Sequence, residues 1–442
     1  MIDQQAPGAL PYPSAARGWW AVAVFSIAAI LSYTDRQILS LLVDPLKADL
    51  HISDSDVGLL QGLAFVLIYA LAGLPLGRLA DTLPRRSVLL AGVLIWSLGT
   101  LACGYATSFG WLFAARVVVG VGEAALAPAA ISMIGDLFPP ERRGTANGVF
   151  LTGMVIGGGA ALTIGGAIVQ AAGAGLFRAW PLIGALTTWR AVLVLLALPG
   201  PLVALLLLSV PEPARRHRTA SPKQGRHEAT SLSGSLAGFR SRAAVLVPLY
   251  GAMALMSVGD AAIGNWAPAL LSRVFAMPPA RIGLSLGLAS VIAGMVGTIA
   301  GGALADRRVR RNGPSGRMVV AAATAVLGVI GGLIGFAATG SQAVALFSVW
   351  ALMSGAAGTI GITAVQEAVS NEMRGLAIAV NSFGNILLGI GFGTSLTALL
   401  TDHLFAAPND VGWSMTLVTV PAGIGGAALF WRARRSLRRG AA

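Results

Sequence analysis

Twelve stretches of this chain are apolar and about 20 residues or more in length, enough to cross a hydrocarbon layer of about 30 Å as helices. Nothing else in the sequence narrows the fold as much. Inside lipid a backbone must satisfy its own hydrogen bonds, and runs of this length do so as helices. The expected spans are Trp19 to Val43, Val57 to Ala80, Ser87 to Ala106, Phe109 to Leu137, Gly144 to Ala171 and Trp189 to Val210. A second set follows: Ala243 to Leu271, Ile282 to Ala305, Arg317 to Ala338, Ala343 to Ala368, Gly375 to Leu400 and Val411 to Trp431. The stretch LFRAWPLIGALTTWR, ahead of the sixth span, is expected to hold an extra turn at the membrane interface.

Only 11% of the 442 residues are charged, against roughly a quarter in a soluble domain. A net charge of +13 could suggest nucleic acid as partner, but that reading needs a basic face on a soluble module. Here the arginines fall in short loops and a tail: Arg78, Arg85 and Arg86; Arg142 and Arg143; Arg215 to Arg242; Arg307, Arg308, Arg310 and Arg311; Arg374; and Arg432 to Arg439. The alternate loops carry few bases, and the first, DPLKADLHISDSD, is acidic. By the positive-inside rule both termini are expected in the cytoplasm. The N-terminal residues show no charged segment leading into a short apolar core and cleavage site, so the first span is expected to be retained. The single cysteine, Cys103, lies in an apolar run and reads as helix packing.

Residues 211–241 are rich in Arg, Ser, Pro and Gly and too polar for the bilayer, so they read as a basic linker near anionic lipid heads. They divide the chain into two six-helix units, residues 1–210 and 242–442. The units repeat. Shifted by 225 positions, VGLLQGLAFVLIYALAGLPLGRLADTLPRR lies on IGLSLGLASVIAGMVGTIAGGALADRRVRR, pairing Asp81 with Asp306 and Arg85 and Arg86 with Arg310 and Arg311. Shifted by 231, DLFPPERRGTA lies on EAVSNEMRGLA and pairs Asp136 with Glu367. Both matches join helices of equal rank, which is a parallel duplication about an axis along the membrane normal.

These residues resemble the major facilitator superfamily, whose hallmark loop between helices two and three has the form Gly-x-Leu-Ala-Asp-x-x-x-Arg-Arg. GRLADTLPRR is that loop, and GALADRRVRR resembles its second copy. Within the superfamily, SYTDR, ARVVVGVGEAALAPAAISMIGDLFPPERRGTANGVF and NWAPALL together resemble the Spinster family of lipid transporters in a bacterial form. The resemblance implies an all-α membrane protein of two pseudo-symmetric six-helix bundles in a bacterial inner (plasma) membrane, moving a lysophospholipid- or sphingoid-like substrate. A monomer is expected, with no cofactor.

The repeated loop has a physical reading of its own. Asp81 and Asp306 fall at the ends of helices two and eight, where a carboxylate favours a neighbouring helix N-terminus. Arg85 and Arg86 can reach Asp136, and Arg310 and Arg311 can reach Glu367 by the same geometry. Such pairs are expected to latch the two halves when the cytoplasmic side closes. The blander alternative is positive-inside charge with helix capping.

An ionised side chain deep in a spanning helix costs at least ~2.5 kcal/mol, so it normally faces a cavity and finds partners. Five positions qualify: Asp35, Arg36, Arg116, Glu123 and Asp260. At 1.5 Å per residue, Asp35 and Arg36 lie about 10 to 12 Å inside one end of helix one. Arg116 lies about 10 Å inside the same end of helix four, and Glu123 two turns further along the same face. The four can share one cavity. Glu123 is the better proton site, because burial at the midplane penalises an ionised carboxylate, while Asp35 stays charged or exchanges partners. Arg36 and Arg116 suit an anionic headgroup such as phosphate. The alternative is a static network that holds helices one and four together. Asp260 either lines the other half of the cavity with Asn265 and Trp266 or snorkels outward.

Elsewhere the expected pore helices offer mostly Ala, Gly, Leu, Ile, Met and Phe, with isolated polar residues such as Tyr33, Gln61, Tyr69, Asn381 and Asn385. A sugar would need a partner for each hydroxyl, so a charged head site with apolar walls suits an amphiphile better. The first reading is therefore a proton-coupled transporter of an amphiphile working by alternating access. A proton-driven exporter of drugs or small organic anions is its rival on the same fold, and a non-transporting membrane sensor is the rival of another class. Enzyme chemistry is disfavoured. His51, His217, His227 and His403 all lie in loops or at helix ends, so neither a metal site nor a His-dependent triad can form at membrane depth. The Gly-rich GMVIGGGAALTIGGAI and GNILLGIGFGTS follow no strand, so they read as helix packing and not as dinucleotide loops.

Overall fold

A computed structural model describes residues 12–181, 183–215, 239–369 and 373–439 of the chain. Each apolar run is one span, numbered here in chain order. The first half holds α1 Ala15–Leu41, α2 Asp54–Leu79, α3 Arg85–Gly104, α4 Phe109–Leu137, α5 Glu141–Gly173 and α6 Thr188–Leu208. The second holds α7 Ala243–Arg273, α8 Pro279–Asn312, α9 Ser315–Phe336, α10 Gly340–Ala368, α11 Leu376–Phe405 and α12 Pro408–Arg438. Most of the linker, residues 216–238, lies outside the described residues.

Local chemistry sets the ends. Ser53 and Asp56 form a reciprocal capping box that starts α2, while Ser108 and Thr339 cap α4 and α10. Residues between α5 and α6 form turns, with Phe177 set edge-on to Trp180, where an interfacial turn is expected. One boundary differs from expectation. The apolar run of α8 stops at Ala305, yet the helix continues to Asn312 and ends where Gly313 takes a left-handed φ of 67°. Arg310 and Arg311 sit in its last turn, where cations favour the helix dipole, so charge extends a helix that hydrophobicity would have ended.

The halves meet along α5 against α8 and α2 against α11. These contacts are tight at one end only. Near the acidic loop a Cβ on Gly283 of α8 would lie 2.0 Å from the Leu162 carbonyl oxygen of α5, and one on Gly58 of α2 would lie 2.7 Å from Ala398 of α11. Toward the arginine-rich loops, Gly148 of α5 and Gly77 of α2 face open space. The bundle is therefore sealed at its acidic face and splayed at its basic face.

Candidate functional site

A cavity of about 470 Å³ lies between the halves. From α1 it takes Tyr33, Arg36 and Gln37, from α2 Gln61 and Phe65, and from α4 Arg116. The opposite wall is Ser257, Asp260, Ala261, Gly264 and Asn265 of α7 with Asn385, Ile386 and Ile390 of α11. Two irregularities border it: α2 is interrupted at Gly62, and α11 is a π-helix over Asn385–Gly393. Such bulges re-aim side chains and are frequent at functional sites.

The four charges expected to converge do so, in two layers. Arg36 and Arg116 form the wall, and Glu123 and Asp35 stand buried behind it. Arg36 Nε donates to Glu123 Oε2 at 2.5 Å, and its guanidinium lies 4.7 to 5.2 Å from the ring centres of Tyr69, Phe65 and Tyr33. That aromatic box supplies cation–π attraction and excludes water. Asp35 Oδ2 accepts from the Thr100 hydroxyl of α3. Each acid keeps one oxygen without a partner, Oδ1 of Asp35 and Oε1 of Glu123.

Arg116 is the exception among these bases. It is 3% exposed, sits over Phe65 at 5.4 Å, and has a buried Nε with no acceptor. Among the described residues no carboxylate comes within ion-pair distance of it. A guanidinium left with open donors at the edge of a cavity is a site for an anion.

On the α7 side, Asp260 faces the cavity and accepts from Trp350 Nε1 at 2.8 Å and from the Ser354 hydroxyl at 2.7 Å, both on α10. Asn265 faces the cavity too and donates to Thr394 of α11. Trp266 does not reach it. Its ring is fully buried and its N–H donates to the Thr394 carbonyl, so it fastens α7 to α11. Asn381 is buried and Tyr69 turns to Arg36, which leaves Tyr33, Gln61 and Asn385 as the cavity-lining members of that polar set.

At the basic face the expected pairs occur in altered form. Arg85 binds Asp136 and donates to Ser132 within the first half, and it binds Glu212 and the Pro213 carbonyl at the start of the linker. Arg86 donates to the carbonyls of Leu208 and Val210. In the second half the base is Arg317, which holds Asp306 at 3.1 Å and Glu367 at 2.8 Å. Arg310 and Arg311 are exposed on the extended α8 and do not pair with Glu367, because the extra turns carry them past it. The side chain of Asp81 lies outside the described residues. None of these pairs joins one half to the other.

The acidic face holds the pairs that do. Arg273 of α7 binds Asp44, in the short helix Val43–Leu50, and Asp54 at the start of α2, at 2.6 and 2.7 Å. Asp54 also holds Lys47, and Asp402 of α11 accepts from the backbone N–H groups of Asp54 and Ser55. The sequence signal was present in the acidic loop DPLKADLHISDSD and the lone base of LLSRVF, but the two lie over 200 positions apart.

Residues 25–394 match the family model of the Major Facilitator Superfamily. Over 429 residues the chain is 28% identical to an MFS-type efflux pump of Mycolicibacterium smegmatis, covering 96% of this chain and 94% of the relative. Over 419 residues it is 25% identical to the Sphingosine-1-phosphate transporter SPNS2 of Mus musculus, covering 88% of this chain and 70% of the relative. The fold is similar, with a TM-score of 0.81 at 23% identity and coverage of 97% and 99%, to a bacterial homolog of the human lysosomal transporter Spinster in an inward-facing and unoccupied conformation.

Proposed function

The chain belongs to the Major Facilitator Superfamily, and from that premise we propose that it carries an anionic amphiphile across the membrane by alternating access, coupled to protonation of Glu123. The observation that carries this reading is Arg116: a buried guanidinium with open donors beside a cavity whose other walls are largely apolar. The charge count gives the coupling. Asp35, Arg36, Arg116 and Glu123 sum to zero when all are ionised. A proton on Glu123 releases Arg36 from the carboxylate that holds it, leaves the cluster with one positive charge, and prepares two guanidinium groups for one headgroup. Binding the anion restores neutrality, so proton and substrate favour one another.

The arginine-rich loops support a cytoplasmic basic face in a bacterial inner membrane, and with that orientation the described state is inward-open. The sphingosine-1-phosphate relative agrees with an anionic amphiphile. A second reading, export of amphipathic drugs, is favoured by the relative that is an efflux pump.

The test is transport of labelled lysophospholipid by purified protein in liposomes under an imposed pH gradient. Glu123→Gln is expected to abolish the pH dependence and to slow transport roughly tenfold or more. Wild-type protein that moves no lysophospholipid but exports cationic drugs would replace the first reading with the second.

A further inference from the structure

Two helices run past their apolar stretches at the basic face. The apolar run of α8 stops at Ala305 and that of α12 at Trp431, yet the helices continue to Asn312 and Arg438, about 10 Å further in each case. The extension of α12 is docked on the bundle: Phe430 and Ala433 are fully buried, and Leu437 packs against the core. That rotation sets Arg434 against the exposed ring of Trp431, one turn back, with its guanidinium 4.3 Å from the ring centre. Stacking shields one side of the group from water, and its Nε is buried with no acceptor. Among the described arginines only Arg116 of the central cavity shares that condition. The charges that act on Arg434 are both bases, Arg438 one turn along α12 and Arg308 of α8. Among the described residues no carboxylate pairs with any of the three. Like charges at i and i+4 repel, and a helix dipole that favours cations in a last turn favours every face of the helix alike. Neither effect brings three bases from two helices together beside a tryptophan.

We propose that Arg308, Arg434 and Arg438 form a site for the phosphate groups of an anionic membrane phospholipid in the leaflet at the basic face. A tryptophan exposed at the end of a span sits at headgroup level, which puts the three guanidinium groups at the depth of lipid phosphate. Guanidinium forks match phosphate oxygens, and three positive charges exceed what one phosphodiester neutralises. A lipid with two phosphodiesters, such as cardiolipin, therefore fits best. The site lies on the second half alone, outside the transport cavity, and does not depend on what that cavity carries.

The experiment measures the Tm of the purified full-length protein in neutral detergent with added cardiolipin, phosphatidylglycerol, phosphatidylcholine or inorganic pyrophosphate. Wild type is expected to gain most with cardiolipin, less with phosphatidylglycerol and nothing with the other two. Arg434→Gln should raise the cardiolipin concentration that gives half of the gain by about tenfold, and Arg308→Gln, on the other helix, should do the same. Two controls remove the same charge: Arg432→Gln and Arg310→Gln, at exposed positions on the opposite faces of α12 and α8. Their response should match that of wild type. Controls that shift as far as the site variants would overturn the proposal in favour of diffuse attraction to a basic rim. An equal gain with phosphatidylglycerol would overturn the two-phosphodiester headgroup, and an equal gain with pyrophosphate would overturn the lipid in favour of free phosphate. No gain of wild type with cardiolipin would overturn the site outright. Where Arg434→Gln does not fold, Arg308→Gln, at an exposed position, carries the same comparison.

Discussion

The two ends of the bundle use the same chemistry, arginine against carboxylate, to different effect. At the acidic face Arg273 reaches from α7 to Asp44 and Asp54, so the pairs cross between the halves. At the basic face Arg85 pairs with Asp136 of its own half and with Glu212 at the start of the linker, and Arg317 pairs with Asp306 and Glu367 of its own half, so none of these pairs crosses to the other half. An ion pair can respond to rocking only if its partners ride on bodies that separate. In this state the repeated loop motif braces each half, and the latch lies at the opposite end in a loop that carries no repeat.

If that division is right, removing a brace costs stability and removing the latch shifts conformation. The largest loss belongs to Arg85, which is buried and serves two acids and two further acceptors. Arg85→Ala removes a buried base from Asp136 and Glu212, and stripping one member of a buried pair costs about 3–5 kcal/mol. A large fall in Tm is expected, with unchanged distances between spin labels placed across the halves. Suitable exposed sites are Ala48 with Asn409 at the acidic face and Thr82 with Asn312 at the basic face, and the lone native cysteine, Cys103, is buried. A shift in those distances would make Arg85 a latch after all.

Arg273→Ala should do the reverse. Its side chain is 6% exposed and Asp54 is fully buried, but Asp44 is 36% exposed, so the loss is smaller, about 2 kcal/mol. Taken wholly from the sealed state, that is a roughly 30-fold shift in population toward acidic-face opening. The distance between positions 48 and 409 should lengthen and that between 82 and 312 shorten, while Tm changes little. A fall in Tm without distance change would mean that Arg273 only braces.

How much of this was legible in the sequence follows the same division. Spans were readable because lipid imposes a length on each apolar run. The end of α8 was not, since exposed arginines extend a helix without adding hydropathy. Asp35, Arg36, Arg116 and Glu123 stood out because charge in a spanning helix is costly, and spacing placed them at compatible depths. Which of them face the cavity depends on helix rotation and neighbours, so the layering of bases before acids was hidden. Thr100 was invisible: its hydroxyl also bonds the Trp96 carbonyl, which makes a threonine unremarkable in an apolar helix. Trp266 misled because an aromatic beside Asn265 suits a cavity as well as a helix interface. The acidic-face latch was missed because its members come from separate loops with no shared motif.

Arg317→Ala sharpens the comparison at a smaller scale. Asp306 and Glu367 are 57% and 43% exposed, so water already screens both pairs. About 1 kcal/mol of stability is expected to go, well below the loss at Arg85, and label distances should again hold.

The smallest predicted effect is also the cleanest test of the latch. Asp402 crosses between the halves as Arg273 does, but it binds backbone: its oxygens accept from the N–H groups of Asp54 and Ser55, at the positive end of the α2 dipole. Asp402→Asn keeps an acceptor oxygen and the shape while removing the charge, which at an accessible helix end is worth about 0.3–1 kcal/mol. The 48–409 distance should therefore lengthen in a minor population, in the same direction as for Arg273→Ala. Since Arg273 and Asp402 both act on Asp54, the double variant should fall short of the sum of the two singles, as expected for residues in one network. Strict additivity in that cycle would mean two separate contacts where the geometry shows a single latch.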